Sequence, residues 1–317
     1  MEQEMEYIHT IYECGSFSKA AEKLYVTQPA LSLAVKRTEK RIGMQLFDRS
    51  GRTLKLTEAG EIYIRKYYEI HDLEEEMQKQ INDLSSLETG EIRIGGTNYF
   101  NSYVLPPVIV AFKKKYPGID LKLTEAGSYE LLEMLKEHRI DLTFNCGLTP
   151  KDPFIRRKAV KDMILLAVPK NFEIDSTQRA HALSHTDILA GRHITAEIPS
   201  FPLAAFTSLP FILLTERNNL YWRYQEICRH ENISLNAVMQ VNQLATAWHL
   251  ACSGLGATLI SDRLVTGSSD SVIFFRIDSV LCERQFELIM SEKHYVSHAM
   301  KAFSDVFCDY YKEKELP

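Results

Sequence analysis

The first part of the chain contains three stretches in which apolar residues recur every three or four positions, the spacing of amphipathic helices. The first predicted helix covers residues 4–13 and places four apolar side chains on one side: Met5, Ile8, Ile11 and Tyr12. A second, short helix follows over residues 19–24, with Ser18 as its N-terminal cap. After a tight turn, Thr27 caps a longer third helix that has Pro29 in its first turn. Two short helices joined in this way predict a helix-turn-helix.

The third helix has an apolar side and a polar, basic side. Leu31, Ala34 and Val35 begin the apolar stripe, which continues through Thr38 towards Ile42. The opposite side carries the residues expected to face DNA: Gln28, Ser32, Lys36, Arg37 and Lys40. In a helix-turn-helix the second helix enters the major groove, where residues near its N-terminus reach base edges. Lysines and arginines further along the helix neutralise phosphates.

A wing is predicted directly after these helices, because residues 46–57 form two short strands around a turn at Ser50-Gly51. The basic residues positioned there for the DNA backbone or the minor groove are Arg49, Arg52 and Lys55. Charge supports a nucleic-acid partner: residues 14–57 hold nine lysines and arginines against three acidic residues, in a chain of net charge −5. A solvated surface of mixed charge is the alternative.

A single long helix is predicted from its cap at Thr57 to Leu87. Its apolar residues form a heptad-like seam: Tyr63, Tyr67, Ile70, Leu73, Met77, Ile81 and Leu84. A seam of this length would expose a large apolar patch, so we expect it to pair with a second copy of the chain. Packing of the seam on the chain's own C-terminal part is the alternative. A hinge is predicted at residues 85–90.

Beyond residue 90, short apolar segments typical of strands alternate with helical segments. The predicted strands cover residues 91–94, 119–123, 140–145, 164–168, 211–214, 237–241, 257–260, 272–277 and 286–290. The predicted helices cover residues 101–116, 129–138, 220–230, 244–253 and 298–311. This alternation predicts an α/β fold with a parallel, doubly wound sheet.

Candidate ligand-binding residues follow the predicted strands at their carboxyl ends, where open α/β sheets bind ligands. They are Thr97, Asn98, Tyr99 and Phe100 after the first strand, Ser128 after the second, Asn145 and Cys146 after the third, and Thr215 after strand 211–214. The hydroxyl and amide groups suit a small polar ligand, and the two aromatic rings suit an apolar part of it. Helix capping is the alternative role for the Ser, Thr and Asn residues. Cys146 is alternatively a small core residue.

Composition restricts the class of protein. Of the 317 residues, 45% are apolar and 25% charged, as in globular proteins that bury a core without disulfides or metals. No apolar run is long enough for a membrane helix, and the acidic N-terminus does not resemble a secretion signal. We therefore expect a cytoplasmic protein with reduced cysteines and no membrane partner. The six cysteines form no CxxC pair, and neither His181/His185 nor His294/His298 belongs to an HExxH pattern, so no metal or cofactor is predicted.

Four N-terminal fragments resemble those of LysR-type transcriptional regulators, in the order and at the spacing of that family. They are FSKAAEKL at residues 17–24, TQPALS at 27–32, LFDR at 46–49 and LTEAG at 56–60. Two positions depart from the family pattern: Leu33 stands where arginine is frequent, and Thr38 stands where leucine is usual. Because Leu33 cannot form the bidentate contact that arginine makes with guanine, we expect a different base preference at that position.

The remainder of the chain resembles the effector domain of the same family, which is similar to type 2 periplasmic binding proteins. The resemblance rests on LPP at 105–107, YP at 116–117, DL at 141–142 and CSGLG at 252–256. It implies a winged helix-turn-helix domain at residues 1–60, a linker (dimerisation) helix at 61–88 and a two-lobed α/β effector-binding domain at 91–317. Lobe I would comprise residues 91–162 and 267–317 and lobe II residues 163–266, with the chain crossing between them near 162 and 266.

The resemblance implies a transcriptional regulator that binds promoter DNA as a homodimer or homotetramer. It also implies contact with RNA polymerase and a response to a small-molecule effector between the two lobes. A solute receptor with the same sensor fold is one alternative, disfavoured because it would need export. An enzyme with an attached DNA module is another, but the sequence contains no GxSxG, P-loop, GxGxxG after a strand or plausible Ser/His/Asp set, so no catalytic residue is predicted.

Overall fold

The computed structural model of the chain describes residues 2–48, 53–84, 89–147, 152–195, 197–267 and 270–315, and the chain forms two units, Met1–Lys79 and Gln80–Pro317. The first unit contains helices α1 (Glu2–Cys14), α2 (Phe17–Lys23) and α3 (Gln28–Ile42), strands β1 (Phe47–Asp48) and β2 (Lys55–Leu56), and most of helix α4 (Glu58–Asn82). The two strands pair antiparallel, with Phe47 opposite Leu56. The predicted helix-turn-helix with short wing strands is therefore confirmed.

One apolar core holds the first unit together. It consists of Ile8, Ile11, Ala20, Ala21, Leu31, Val35, Leu46, Phe47 and Ile64. Tyr12 and Ile42, which the periodicity assigns to the apolar sides of α1 and α3, are 44% and 41% exposed. Each lies in the last turn of its helix, beyond the reach of the facing helices, so the buried stripes are one turn shorter than predicted.

Side-chain caps set where α2 and α3 begin. The cap of α2 is Ser16 and not the predicted Ser18: Ser16 has extended backbone angles, and its Oγ accepts a hydrogen bond from the Lys19 N–H at 3.5 Å. Ser18 therefore lies inside the first turn, with its side chain exposed. Thr27 caps α3 as predicted, its Oγ1 accepting from the Ala30 N–H at 3.4 Å.

The start of α4 packs directly on the backbone before the wing. Thr57 caps this helix as predicted, accepting the Gly60 N–H at 3.1 Å and donating from its own N–H to the Leu46 carbonyl at 3.0 Å. A Cβ atom added at Gly60 would lie 2.0 Å from that same Leu46 oxygen. Only glycine leaves room for this approach, which gives a packing reason for the glycine of the LTEAG fragment. The helix ends at Asn82, and the predicted continuation to Leu87 and hinge at 85–90 fall largely outside the described residues.

The second unit alternates strands with helices. Its strands are β3 (Gly90–Gly96), β4 (Ile119–Glu125), β5 (Thr143–Asn145), β6 (Phe154–Pro169), β7 (Ser200–Phe201), β8 (Pro210–Leu214), β9 (Asn236–Val241), β10 (Thr258–Ser261), β11 (Val272–Ile277) and β12 (Glu283–Ser291). Its helices are α5 (Leu105–Lys115), α6 (Ser128–Lys136), α7 (Ser176–Ala180), α8 (His185–Leu189), α9 (Asn219–Glu231), α10 (Leu244–Cys252) and α11 (His298–Glu315). A π-helical turn, Phe100–Val104, precedes α5, and 3₁₀ turns cover Arg192–Ile194, Leu203–Phe206, Asp262–Leu264 and Val280–Cys282.

The sheets are only partly parallel, which corrects the predicted doubly wound sheet. Strand β3 pairs parallel with β4, and β8 with β9. In contrast, β6 pairs antiparallel with β12, β10 and β11. The sequence predicts only residues 164–168 of β6, because the earlier half of this 16-residue strand is rich in charged residues and lacks a continuous apolar run.

Strand β6 runs through both lobes of the second unit. Its first part, Phe154 to Met163, pairs with β12, and its second part, from Ile164 onward, pairs with β10 and β11. The first crossing therefore lies within a continuous strand, close to the predicted position near 162. The return crossing lies between β11 and β12 and not near 266, because residues 272–276 still pair with the second half of β6.

A buried ion pair lies where β6 changes partners. Asp162 faces Arg284 of β12 across the sheet, and the Arg284 Nε donates to Asp162 Oδ1 at 2.7 Å. The hydroxyls of Tyr99 and Ser261 also donate to the Asp162 carboxylate, at 2.8 and 2.7 Å. Ser261 is the last residue of β10, and Tyr99 follows β3. This network therefore joins segments of both lobes around one carboxylate.

The environment of this network fixes its charges. Burial alone would raise the pKa of Asp162, but the charge of Arg284 and the three hydrogen-bond donors hold that pKa below its usual value. Burial, and then the neighbouring carboxylate, raise the pKa of Tyr99 well above its ordinary value. Asp162 is therefore ionised and Tyr99 remains a hydrogen-bond donor at neutral pH.

Replacing Gly60 with alanine should destabilise the first unit by about 1–3 kcal/mol, because the new methyl group collides with a backbone carbonyl that cannot rotate away. Amide hydrogen exchange of α1–α3 in the full chain measures the change. Glu58→Ala, at an exposed position in the same turn, serves as the control. Unchanged protection in Gly60→Ala would contradict the packing argument.

Replacing Asp162 with asparagine should lower the free energy of unfolding of the second unit by about 3–5 kcal/mol at neutral pH, because Arg284 loses its buried counter-charge. The Asp162 pKa is lowered on folding, so its contribution is present above about pH 4 and is lost as the pH falls through the folded pKa. The difference between wild type and variant should therefore shrink in acid.

Denaturant unfolding followed by tryptophan fluorescence measures this difference, since both tryptophans, Trp222 and Trp248, belong to the second unit. Asp278→Asn, at an exposed position near the return crossing, is the matched control. A difference that stays constant from pH 7 to pH 3 would show that the carboxylate charge is not what Arg284 requires.

Candidate functional site

The polar side of α3 is an open surface. Gln28 and Pro29, in its first turn, and Lys36 and Arg37, two turns later, are exposed. Ser32 is half-buried between them, and its Oγ accepts a hydrogen bond from Gln28 Nε2 at 2.9 Å. The cap Thr27 and the neighbouring Ser18 of α2 are exposed as well; the predicted Arg49 and Arg52 lie outside the described residues.

Two further residues shape this surface. Leu33 is 51% exposed on α3, so the apolar side chain at the position where the family often has arginine is open to solvent. Tyr25, in the turn between α2 and α3, is 97% exposed and has a left-handed φ of 55°. The tight turn predicted between these helices does not identify Tyr25 as part of the surface. Non-glycine residues rarely adopt a left-handed backbone, so this aromatic residue in the turn is unusual.

A cavity of about 470 Å³ lies between the two lobes of the second unit. Its lobe I wall comes from the segments after β3, β4 and β5 and from β12, and its lobe II wall comes from the starts of α9 and α10. The lining residues are Thr97, Asn98, Tyr99, Phe100, Glu125, Ala126, Gly127, Ser128, Tyr129, Glu130, Phe144, Asn145, Cys146, Arg217, Asn218, Asn219, Asn242, Gln243, Leu244, Arg284 and Phe286.

The structure brings together seven of the eight predicted ligand-binding residues. Thr97, Asn98, Tyr99, Phe100, Ser128, Asn145 and Cys146 all line the cavity. Thr215 does not line it; its hydroxyl donates to Asn242 Oδ1 at 2.7 Å and so positions a lining residue. Some of the seven also have the local roles considered as alternatives: Thr97 Oγ1 accepts the Phe100 N–H at 3.4 Å, and Asn145 Oδ1 accepts the Gly147 N–H at 2.8 Å.

Sequence reasoning missed Arg284 and the amide-rich wall of lobe II. Arg284 lies in strand β12 and not after a strand end, so the rule that selects carboxyl ends cannot find it. Asn218 and Asn219 open α9, and Asn242 precedes α10; a cluster of amides at two predicted helix starts is the signal that was available.

Aromatic rings surround the guanidinium at one end of the cavity. Phe100 stacks on Phe144 with ring centroids 4.6 Å apart and meets Phe286 edge-on at 4.8 Å. The Arg284 guanidinium lies over the rings of Phe286 and Tyr99, at 4.9 and 5.6 Å from their centroids. Arg284 is only 5% exposed, so any ligand that reaches it is removed from bulk water.

The lobes also meet at Arg223 of α9. Its guanidinium donates to the Cys146 carbonyl at 3.0 Å, to Asn219 Oδ1 at 3.0 Å and to the Leu281 carbonyl at 3.1 Å. The Cys146 thiol donates to the same Asn219 oxygen at 3.4 Å. Arg223 therefore holds the segment after β5, the lobe II wall and the return crossing together.

Comparison with protein families matches nearly the whole chain. Residues 3–61 match the bacterial regulatory helix-turn-helix protein, lysR family, and residues 85–311 match the LysR substrate binding domain. The uncharacterized HTH-type transcriptional regulator YybE of Bacillus subtilis is 26% identical over 98% of this chain and 99% of its own length. A probable RuBisCO transcriptional regulator of Cyanophora paradoxa is 27% identical over 96% of this chain and 90% of its own length.

Solved structures share the fold. Full-length CbnR complexed with its target DNA superposes with a TM-score of 0.66 at 16% identity, covering 97% of this chain and 98% of that one. A full-length OxyR variant from Pseudomonas aeruginosa superposes with a TM-score of 0.66 at 18% identity, covering 97% of each chain.

Within the described residues, no helix has the length and apolarity needed to span a membrane. The predicted order of a winged helix-turn-helix, a long helix and a two-lobed α/β domain is confirmed. The chain belongs to the LysR family of DNA-binding transcriptional regulators.

Proposed function

We propose that this regulator reads operator DNA with α3 and changes its effect on transcription when a small effector binds between the lobes. One observation carries the proposal: Tyr99 and Arg284 line the interlobe cavity and also belong to the buried network that joins the two lobes. A ligand at these residues contacts the groups that fix the relative position of the lobes. Its binding therefore shifts the equilibrium between two arrangements of the lobes by the difference in its affinity for them.

The proposed DNA-reading residues are those on the open side of α3 and its surroundings. Gln28 and Ser32 would read base edges, and Lys36 and Arg37 would contact phosphates. Ser18, Thr27 and Pro29, with Arg49 and Arg52 of the wing, complete the proposed interface. The hydrogen bond between Gln28 and Ser32 holds the glutamine along the helix in the free protein, so its amide changes partners when it binds a base.

We propose that α4 pairs with the same helix of a second copy. Five residues of the predicted seam remain exposed in the single chain: Ile70, Leu73, Met77, Ile81 and Leu84. Burying such a stripe against an identical helix removes apolar surface from water. A dimer built this way presents two α3 helices to a two-fold symmetric site, and a tetramer presents four.

The proposed domains and partners of the chain follow those predicted from its sequence. The proposed domains are the winged helix-turn-helix at 1–60, the linker helix at 61–88 and the effector domain at 91–317, with RNA polymerase as the partner at the promoter. The seven predicted residues that line the cavity would contact the effector, while Thr215 would act through Asn242. The effector is proposed to be released unchanged and not turned over.

Replacing Gln28 with alanine should lower discrimination between operator and unrelated DNA by about 1–3 kcal/mol, because a base-edge contact is lost. Binding to operator and random duplexes at fixed salt measures the ratio. Arg37→Ala is the contrasting variant, since losing a phosphate contact should weaken both complexes and reduce the salt slope by about one. A uniform loss of affinity in Gln28→Ala would place that residue outside the base-reading interface.

Replacing Leu73, which is 66% exposed, with lysine should weaken self-association through α4. Each copy loses about 1.5–3 kcal/mol of apolar burial and a symmetric dimer loses it twice, so the dissociation constant should rise at least about 100-fold. Light scattering across a concentration series measures this. Glu74→Lys places the same side chain one residue away, at an exposed polar position, and should leave assembly unchanged. Equal behaviour of the two variants would contradict pairing through this stripe.

A further inference from the structure

Three asparagines of the interlobe cavity have a side-chain oxygen that already accepts a hydrogen bond and a side-chain nitrogen that remains a free donor. Asn145 Oδ1 accepts the Gly147 N–H, and Asn218 Oδ1 accepts the Leu220 N–H, at 2.8 and 3.0 Å. Asn219 Oδ1 accepts from Arg223 Nε at 3.0 Å. Each donor is a backbone N–H or a guanidinium, which can only donate, so these bonds also fix which end of each amide is oxygen.

The Nδ2 group of each of these asparagines has no hydrogen-bond partner among the described residues. Asn145 is only 9% exposed and lines the cavity, so the opening that its free amide group faces is the cavity itself. A donor that lines the cavity without a protein partner can bind an oxygen atom of a ligand. This is a direct sign of the chemistry that the cavity accepts.

Other donors face the same space. Helices α6 and α10 begin at the cavity, and neither is capped by a side chain of its N-cap residue, Gly127 or Gln243. At α10, whose first turn has no acidic residue, the first N–H groups and the positive dipole end are available to an anion. At α6, Glu130 already lies in the first turn. Two cations, Arg217 and Arg284, also line the cavity.

The carboxylates of the cavity flank the start of α6: Glu125 precedes the N-cap Gly127, and Glu130 lies in the first turn. Glu125 and Glu130, both exposed, are the carboxylates among the lining residues. The Glu125 carboxylate accepts from Asn98 Nδ2 at 3.3 and 3.4 Å. A ligand that carried anionic groups at every end would be repelled there, whereas hydroxyl or ammonium groups would be bound.

We propose that the effector carries one carboxylate or phosphate group, held by the Nδ2 groups of Asn145, Asn218 and Asn219 and the start of α10. Its other end carries hydroxyl or ammonium groups directed at Glu125. This assignment rests on the proposed function, which makes the cavity the effector site. It excludes polyamines and uncharged polyols as tight ligands.

The decisive variants are Asn145→Asp and Asn219→Asp. Aspartate keeps the oxygen that accepts from Gly147 or Arg223, so the internal bond that positions the side chain is preserved. Only the free donor is replaced, by an anionic acceptor. Asn236→Asp adds the same charge at an exposed position of β9, outside the cavity, and is the matched control.

The experiment measures thermal unfolding of the full chain with inorganic phosphate, glycerol 3-phosphate, acetate, lactate, putrescine or glycerol, at ionic strength matched with chloride. Wild type and Asn236→Asp should be stabilised either by the phosphate probes or by the carboxylate probes. Which of the two groups of probes stabilises them identifies the anion that the cavity binds. Both cavity variants should bind that anion at least about tenfold more weakly, and their preference should shift towards putrescine.

Three results overturn the proposal and are distinguishable. If putrescine or glycerol stabilises wild type and the anions do not, the ligand class is wrong but the proposed effector site stands. If both cavity variants keep full anion affinity, the anion binds outside the cavity and its assignment to these asparagines is wrong. If none of the probes stabilises wild type beyond chloride, both the ligand class and the proposed effector site fail.

Discussion

The buried pair of Asp162 and Arg284 is the interaction on which the sensor part of this molecule depends. It lies where strand β6 exchanges its lobe I partner, β12, for its lobe II partner, β10. A buried charge pair is stable only when further hydrogen bonds support it, and Tyr99 and Ser261 supply two such bonds to Asp162. The two lobes are therefore held in register by a polar junction with strict geometry.

Under the proposed function, the same residues would serve both ligand recognition and the response to it. Tyr99 and Arg284 contact the cavity on one side and Asp162 on the other, so a ligand changes the environment of the junction without a relay of intermediate side chains. Three asparagines of the cavity, Asn145, Asn218 and Asn219, also serve two purposes: the side-chain oxygen accepts an internal hydrogen bond, and the nitrogen remains free to donate.

Most of the fold follows from local patterns, because caps and apolar spacing act over a few residues. Thr27 and Thr57 cap helices as predicted, and the residues after β3, β4 and β5 meet at one cavity because parallel strands end at one edge. The first half of β6 was not predictable, since its charged residues are stabilised by antiparallel pairing with a strand about 120 residues later. Arg284 was missed for the same reason: its position in the site depends on long-range pairing, and it lies just before the strand predicted at 286–290.

The continuity of β6 determines how the lobes can move. A strand hydrogen-bonded on both sides of the crossing cannot fold back like a loop, but it tolerates changes in twist at small cost. Arg223 donates a hydrogen bond to the Leu281 carbonyl and so restrains the second connection, residues 278–282. The lobes are thus joined by a continuous strand that can twist, and not by two free hinges. A bound ligand should therefore rotate one lobe relative to the other by only a few degrees. The wide opening and closing of the lobes that two flexible linkers would permit is not expected.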